Sequence, residues 1–107
     1  YPGFGYGFGY LVENLIYLEL CRAGFDVYVG VLRNKEVDFV AKKVDRVIYI
    51  QSTYLLSDES TVEREYSALE SIGDNFEKIV VSLDDVTLPL RGGIRHLQAW
   101  NLKEILQ

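Results

Sequence analysis

The first clear pattern along the chain is a helical repeat of apolar residues. They recur every three or four positions between residues 11 and 23, which predicts an amphipathic helix with one apolar stripe. The stripe consists of Leu11, Val12, Leu15, Ile16, Leu18 and Ala23. Gly24 follows directly, and a glycine just beyond the last turn is a typical helix stop. We therefore predict a first helix at residues 11–23.

The pattern then changes to alternation at every second residue, which is typical of strands. Segments 26–32, 36–42 and 46–53 are predicted strands, with turns at 33–35 and near Asp45. The third segment is apolar nearly throughout, which predicts a central strand buried on both faces. In the second, Val37, Phe39 and Ala41 are expected on one face. Glu36, Asp38 and Val40 are expected on the other face of that strand.

The second half of the chain predicts one more helix and two short strands. A stripe of Val62, Tyr66, Leu69 and Ile72 predicts a helix at 57–72 with Ser57 as its N-cap. Strands are predicted at 78–83 and 94–99, followed by a terminal helical turn capped by Asn101. The order α-β-β-β-α-β, then β-α, predicts the α/β class, with a mixed central sheet and flanking helices.

Residues 1–10 differ from the rest, because glycine and aromatic residues alternate from Gly3 to Tyr10. Glycine at every second position weakens a strand, and we interpret the segment as a linker remnant. Residues 11–107 have the length of a single domain. The chain contains no methionine, and we expect it to be a fragment of a longer protein.

Composition and charge narrow the function classes. The formal net charge of −5 argues against sequence-independent binding to a phosphate backbone. No apolar run approaches the ~20 residues of a membrane span. The single cysteine, Cys21, has no partner for an internal disulfide, and the start of the chain has no secretory signal pattern. These features together predict a cytoplasmic setting.

Candidate chemistry begins where the second and third predicted strands meet. If those strands pair, Asp38 lies beside Gln51. Glu13 and Glu19 lie on the first helix, and Glu19 falls near the middle of its apolar stripe. Carboxylates from a helix and a strand that converge on one place suit a hard cation such as Mg²⁺. The alternative is structural: the glutamates bond to a turn or an arginine, and Asp38 closes a hairpin.

Other reactive residues carry weaker signals. His96 has no cysteine or serine nucleophile near it in sequence, which favours a structural or exposed role. Cys21 is expected to be a buried, inert thiol. Trp100 is expected to cover the core, or else to belong to an interface. The second helix is acidic, which indicates either a solvated face or a docking surface for a basic partner. Its acidic residues, which outnumber the basic Arg64, are Asp58, Glu59, Glu63, Glu65 and Glu70.

A family resemblance starts from these same residues. Segments 11–20, 24–28, 35–41 and 48–51, with 61–65 and 72–78, resemble the C-terminal domain of a family of prokaryotic AAA+-like ATPases, a domain of unknown function. The most specific parts are Glu36-Val37-Asp38-Phe39 and Tyr49-Ile50-Gln51. The resemblance implies a PD-(D/E)XK nuclease-like fold, of the restriction-endonuclease-like type. It agrees with the α-β-β-β-α-β order predicted from the residues alone.

The resemblance also implies site positions. Glu13 takes the place of the helical acid, Asp38 of the strand acid and Gln51 of the second strand ligand, all for Mg²⁺. Glu19 is an additional candidate acid. Thr53 stands where the superfamily has the lysine that activates the attacking water, and a hydroxyl carries no positive charge. Lys42 shares a predicted face with Asp38, but we expect it to be a solvated surface lysine. The site therefore has a degenerate pattern.

Two functions follow as expectations. The first is a catalytically inactive accessory domain that serves as an interaction or regulatory module, attached to its own N-terminal ATPase domain and contacting a protein partner or a second copy. No cofactor is then expected. The alternative is a Mg²⁺-dependent DNA endonuclease or phosphodiesterase. The uncharged Thr53 and the acidic balance favour the first.

Overall fold

The computed structural model of the chain describes residues 4–32, 35–56 and 58–106. Its elements follow the predicted order of helices and strands. They are α1 (Phe4–Arg22), β1 (Asp26–Leu32), β2 (Lys35–Lys43), β3 (Arg46–Ser52), α2 (Glu59–Glu70), β4 (Glu77–Ser82), β5 (Ile94–Gln98), a 3₁₀ turn (Ala99–Asn101) and α3 (Leu102–Ile105). The turn predicted at 33–35 lies largely outside the described residues.

The five strands form one mixed sheet in the order β1-β2-β3-β4-β5. β1, β2 and β3 pair antiparallel, whereas β4 and β5 run parallel to β3. The mixed α/β class, the antiparallel pairing of the second and third strands and the central place of β3 were predicted, and all three are confirmed. A parallel strand after β3 requires a crossover, and α2 supplies it.

The sheet separates two cores, because successive side chains of a strand point to opposite faces. On β3, Ile48 and Ile50 join the core under α1 and α3, and Tyr49 joins the core under α2. We call these the α1-side core and the α2-side core. β3 is thus buried on both faces, as its continuous apolar sequence predicts.

The start of α1 differs from the prediction. Its backbone is helical from Phe4, so the predicted boundary at Leu11 is wrong, and 4–10 are the first two turns of the helix. Residues 1–3 lie outside the described residues. Adding turns to an existing helix is much easier than nucleating one, so tolerated glycines extend α1 backwards despite their poor propensity.

The buried face of α1 also differs from the predicted stripe. Val12, Ile16 and Leu20 are fully buried in the α1-side core, at a spacing of four residues. Leu18 is 51% exposed, and Leu11 and Leu15 are exposed with it. Because this helix is apolar nearly all round, sequence alone does not distinguish its inner face from its outer face. Cys21 is exposed as well, so its predicted burial is wrong.

The predicted stop at Gly24 is confirmed by a Schellman motif. Gly24 has a φ of 88° and its N–H donates to the carbonyl of Cys21 at 3.0 Å, while the Phe25 N–H donates to the carbonyl of Leu20 at 3.1 Å. Only glycine adopts that left-handed conformation without strain. Leu20 and Phe25 both pack into the α1-side core, which directs the chain into β1.

A β-bulge interrupts the pairing of β1 with β2. Tyr28 lies opposite Val40, but Gly30 lies opposite Val37, so two residues of β2 face one residue of β1. The extra residue falls at Asp38 and Phe39. Bulges bend a strand and redirect its side chains, and they recur beside functional sites.

The bulge corrects the predicted faces of β2. Phe39 and Ala41 pack into the α1-side core, but Val37 packs into the α2-side core, so the prediction of one shared face for all three is wrong. Strict alternation cannot hold across an extra residue. The bulge also places Asp38 at the point where the side chains of β2 change sides.

The remaining elements agree with the sequence apart from their caps. α2 buries Tyr66 and Leu69 of its predicted stripe, but it ends at Glu70, two residues before the predicted end, and Ile72 is buried just beyond it. Its N-cap is Asp58, whose carboxylate accepts from the Thr61 N–H at 2.8 Å; the predicted cap, Ser57, lies outside the described residues. Asn101 precedes α3 without a capping side-chain bond. Within the described residues, no helix is long and apolar enough to cross a membrane.

Candidate functional site

Buried polar side chains gather at one edge of the sheet. Among the described residues, the buried polar side chains are those of Gln51, Ser82, His96 and Gln98. They lie in the second halves of the parallel strands β3, β4 and β5. In open α/β sheets, ligands bind outside the carboxyl ends of such strands. A ligand-binding site is therefore expected at this edge of the sheet.

Asp38 meets the end of β3 at this edge. Its Oδ2 accepts from the backbone N–H of Ser52 at 2.8 Å and from the Ser52 hydroxyl at 3.0 Å. In return, the backbone N–H of Asp38 donates to Oε1 of Gln51 at 2.7 Å. The predicted proximity of Asp38 and Gln51 is thus present. Ser52, which the sequence did not single out, is the third residue of this hydrogen-bonded cluster.

These hydrogen bonds hold β2 and β3 together. The regular pairing of β2 with β3 ends at Phe39 and Ile50, immediately before them. Beyond that point, the side chains of Asp38 and Gln51 accept the backbone N–H groups of Ser52 and Asp38 in place of ladder bonds. The structural interpretation of Asp38, that it closes the hairpin, agrees with this geometry.

Among the side chains that the structure describes, no ammonium or guanidinium group pairs with Asp38. Thr53, which the family resemblance aligns with a lysine, donates its backbone N–H to the carbonyl of Val81 at 3.0 Å. Lys42 is four residues further along β2, about 13 Å at the rise of a strand. Its ammonium lies 5.5 Å from the ring centre of Tyr28. Lys42 is therefore a surface lysine at the other end of the strand, as expected.

The two glutamates of α1 separate. Glu13 is exposed, and the pKa of its carboxyl is raised, first by loss of hydration and second by the negative charge of Asp38. Glu19 pairs with Arg22 at 3.3 Å, and it lines a depression with Lys43 and Lys103 at the other end of the helix. The structural interpretation of Glu19, an acid paired with an arginine, fits this position.

Glu65 of α2 is a site residue that sequence reasoning missed. Its side chain is 12% exposed, and Oε2 is buried with no hydrogen-bond partner among the described residues. Oε1 lies 3.6 Å from Nε of Arg64. Burial raises the pKa of Glu65, and the charge of Asp38 raises it further. The signal was available: Glu65 follows Val62 by three and precedes Leu69 by four, which places it on the buried stripe.

The negative charge of Asp38 on β2 thus acts on two carboxylates of other elements, Glu13 of α1 and Glu65 of α2. Clustered negative charge favours a cation or a proton. Within the set of described side chains, however, no three acidic, histidine or cysteine groups are close enough to ligate one metal ion. The arrangement is an acidic edge rather than a formed coordination shell.

A second cluster surrounds His96. The Leu88 N–H donates to Nδ1 of His96 at 2.9 Å, so the proton of the neutral ring is on Nε2. Nε2–H then donates to the Ser82 hydroxyl at 2.7 Å, and that hydroxyl donates to Oδ2 of Asp84 at 2.5 Å. Burial lowers the pKa of His96, and the charge of Asp84 opposes that shift.

This order of partners does not suit nucleophilic catalysis. In a nucleophile–base–acid relay the histidine accepts from the serine and is oriented by the carboxylate. Here the serine stands between histidine and carboxylate, and a backbone N–H occupies Nδ1. Asp84 also accepts from the Leu56 N–H at 2.9 Å, so the cluster joins the loop before α2 and the 83–93 loop to the sheet. His96 is structural, as expected. Ser82 contacts it although the two are 14 residues apart.

The chain resembles one region of a longer bacterial protein. It is 37% identical over 71 residues to a Haemophilus influenzae protein described as uncharacterised, a match that covers 66% of this chain and 17% of that relative. The chain thus spans about a sixth of the relative's length. No protein-family model matches the sequence. No solved structure matches it either.

Proposed function

We propose that this chain is a nuclease-like accessory domain of a longer AAA+-like ATPase and that it acts as a catalytically inactive interaction or regulatory module. One observation carries the proposal. The oxygens that would face a metal, Oε1 of Gln51 and Oδ2 of Asp38, both accept backbone N–H groups instead.

The arrangement of elements supports the nuclease-like part of the proposal. A helix, an antiparallel three-strand meander and a parallel strand after a helical crossover have the order that the family resemblance implies. Asp38 and Gln51 lie on neighbouring strands at the edge where such a site is expected. The matched relative is long enough for other domains beside the matched region, which supports the accessory role.

The described side chains place no positive group beside Asp38, which supports the proposal that the domain is catalytically inactive. A nuclease of this type needs a positive group beside the attacking water and the pentacovalent phosphorane. Thr53 is uncharged, and Lys42 is occupied at the far end of β2. Loss of one preorganised donor of this kind typically lowers the rate by ~10²–10³.

Cleavage assays test this proposal. The protein, incubated with Mg²⁺ or Mn²⁺ and with duplex or single-stranded DNA, should cleave no faster than Asp38→Ala. Thr53→Lys combined with Gln51→Glu restores the superfamily pattern and is the matched gain-of-function variant. Metal-dependent cleavage by the natural chain that Asp38→Ala abolishes would contradict the proposal.

A second function, a Mg²⁺-dependent phosphodiesterase, has one observation in its favour. Glu13 and Glu65 both have a raised pKa in part because of Asp38, so added positive charge would be stabilised between them. Line broadening by Mn²⁺ in NMR spectra distinguishes the two functions. Broadening confined to signals of these three residues, and absent in Asp38→Asn, would favour the phosphodiesterase. Broadening spread evenly over the acidic surface would favour the inactive module.

A further inference from the structure

A groove lies between α2 and the loop at 83–93, apart from the Asp38 edge. Its volume is about 660 Å³. It is bordered by apolar side chains of the loops and by one face of α2. The lining residues are Leu56, Asp58, Glu59, Val62, Glu63, Tyr66, Leu88, Pro89, Leu90 and Arg91.

The apolar part of the groove is open to solvent. Leu90 is 68% exposed, and its neighbours Pro89 and Leu56 line the same groove. Tyr66 borders it from α2 with only 1% of its surface exposed, and its hydroxyl has no hydrogen-bond partner among the described residues.

The loop side of the groove is held in shape. Gly92 and Gly93 have φ values of 56° and 81°, as a two-residue turn with positive φ at both positions requires. Arg91 and Ile94 exchange both backbone hydrogen bonds across that turn, at 3.2 and 2.8 Å. The groove is therefore preformed, and a ligand does not have to order the loop.

Arg91 joins the loop to α2. Its guanidinium pairs with Glu63 at 2.9 Å and with Glu70 at 3.3 Å, and it lies 5.4 Å from the ring centre of Tyr66. Two carboxylates thus offset its single positive charge. Asp58 and Glu59 add further negative charge at the rim, so the groove as a whole is acidic around an apolar floor.

We propose that this groove binds a short peptide segment of a partner protein, in which an apolar side chain is flanked by lysine or arginine. The apolar side chain covers Leu90 and its neighbours, and the flanking cations face Glu59 and Glu63. Charge complementarity of this kind sets specificity and speeds association. The proposal names a partner class for the interaction role, yet it does not depend on whether Asp38 supports cleavage.

A displayed library of random peptides is the probe. Selection on the whole chain should enrich peptides with an apolar residue next to lysine or arginine. The affinity of a selected peptide, measured by fluorescence anisotropy, should fall about tenfold with Leu90→Asp and severalfold with Glu59→Lys. It should also fall as the salt concentration rises.

Two matched variants serve as controls. Leu18→Asp introduces the same change at an exposed leucine of α1, and Glu104→Lys the same charge reversal on α3; neither residue lines the groove. Both should bind the peptide like the natural chain. Enrichment of acidic peptides, no enrichment at all, or equal loss in Leu18→Asp and Leu90→Asp would overturn the proposal. A failed peptide selection leaves the cleavage result unaffected, so the two proposals fail separately.

Discussion

Two polar clusters lie at the same edge of the sheet, and they are built in opposite ways. Around His96, both ring nitrogens and the Ser82 hydroxyl have partners within 2.9 Å. Around Asp38, Oε2 of Glu65 is buried and has no hydrogen-bond partner among the described residues, while Oε1 lies 3.6 Å from Arg64, and the pKa of Glu65 is raised.

The difference shows which cluster serves stability. A buried polar network that is fully bonded rigidifies the fold, whereas an unpaired buried charge costs free energy in the folded state. Such costs persist where a site has another use, because stability and function compete there. The His96 cluster is therefore structural, and the buried Glu65 carboxylate at the Asp38 edge is the feature that lowers stability.

The largest expected effect comes from removing the centre of the bonded cluster. His96→Ala leaves a cavity between β4 and the 83–88 loop. It also removes one hydrogen-bond partner of the Ser82 hydroxyl and the acceptor of the Leu88 N–H. We expect the free energy of unfolding to fall by about 3 kcal/mol, measured by urea denaturation near pH 7. A loss below about 0.5 kcal/mol would show that the cluster is not structural.

The pH dependence of stability comes next. The pKa of His96 is lowered in the folded state, so the unfolded chain binds its proton more tightly. Stability is then fully present above about pH 6.5 and is lost as the pH falls below that value, by about 1.4 kcal/mol for each unit of depression. The difference in unfolding free energy between the natural chain and His96→Gln should shrink over that range. A constant difference from about pH 8 to about pH 5 would contradict this.

At the Asp38 edge we expect a change of opposite sign. Glu65→Gln replaces a buried carboxylate by a neutral amide, and the free energy of unfolding should rise by roughly 1 kcal/mol at pH 7. Because the pKa of Glu65 is raised, its stabilising form is the protonated one, and the gain should vanish below about pH 4.5. Destabilisation by Glu65→Gln at pH 7 would mean that the carboxylate has a partner in solution.

The smallest effect is expected at the acid that has a surface partner. Glu19→Gln removes only the pair with Arg22, whose side chain is largely exposed. We expect the melting temperature to change by less than about 2 °C, which corresponds to less than about 0.5 kcal/mol. This variant is the matched control for Glu65→Gln, since a stabilisation of equal size in both would attribute the effect to net charge alone.

Local periodicity predicted most of the fold. β1 begins and ends where alternation predicts, the stripe of α2 is buried as expected, and Gly24 ends α1. Each of these features depends on residues that are close in sequence: the strand and the stripe on periodicity, and the helix end on a single glycine. The start of α1 at Phe4 was missed because a glycine-rich segment can extend a helix that it would not nucleate.

The candidate site was predictable only in part. Asp38 and Gln51 were expected together because strand pairing brings them together, and they are joined by a hydrogen bond. Ser52 was missed because it bonds to Asp38 diagonally, from the residue after Gln51, where the regular pairing of β2 with β3 has already ended. The contact of Ser82 with His96 depends on the parallel pairing of β4 with β5, which no local pattern encodes.

The sequence by itself determined the order of helices and strands, the mixed sheet and the pairing of β2 with β3. These follow from periodicity and from turns, which act over a few residues. Only the tertiary structure decided which face of α1 is buried, that Asp38 accepts hydrogen bonds from Ser52, and that the charge of Asp38 raises the pKa of Glu65 on α2. The reason is physical: burial and electrostatic interaction depend on distance in space, and residues far apart in the chain become neighbours only when the sheet is assembled.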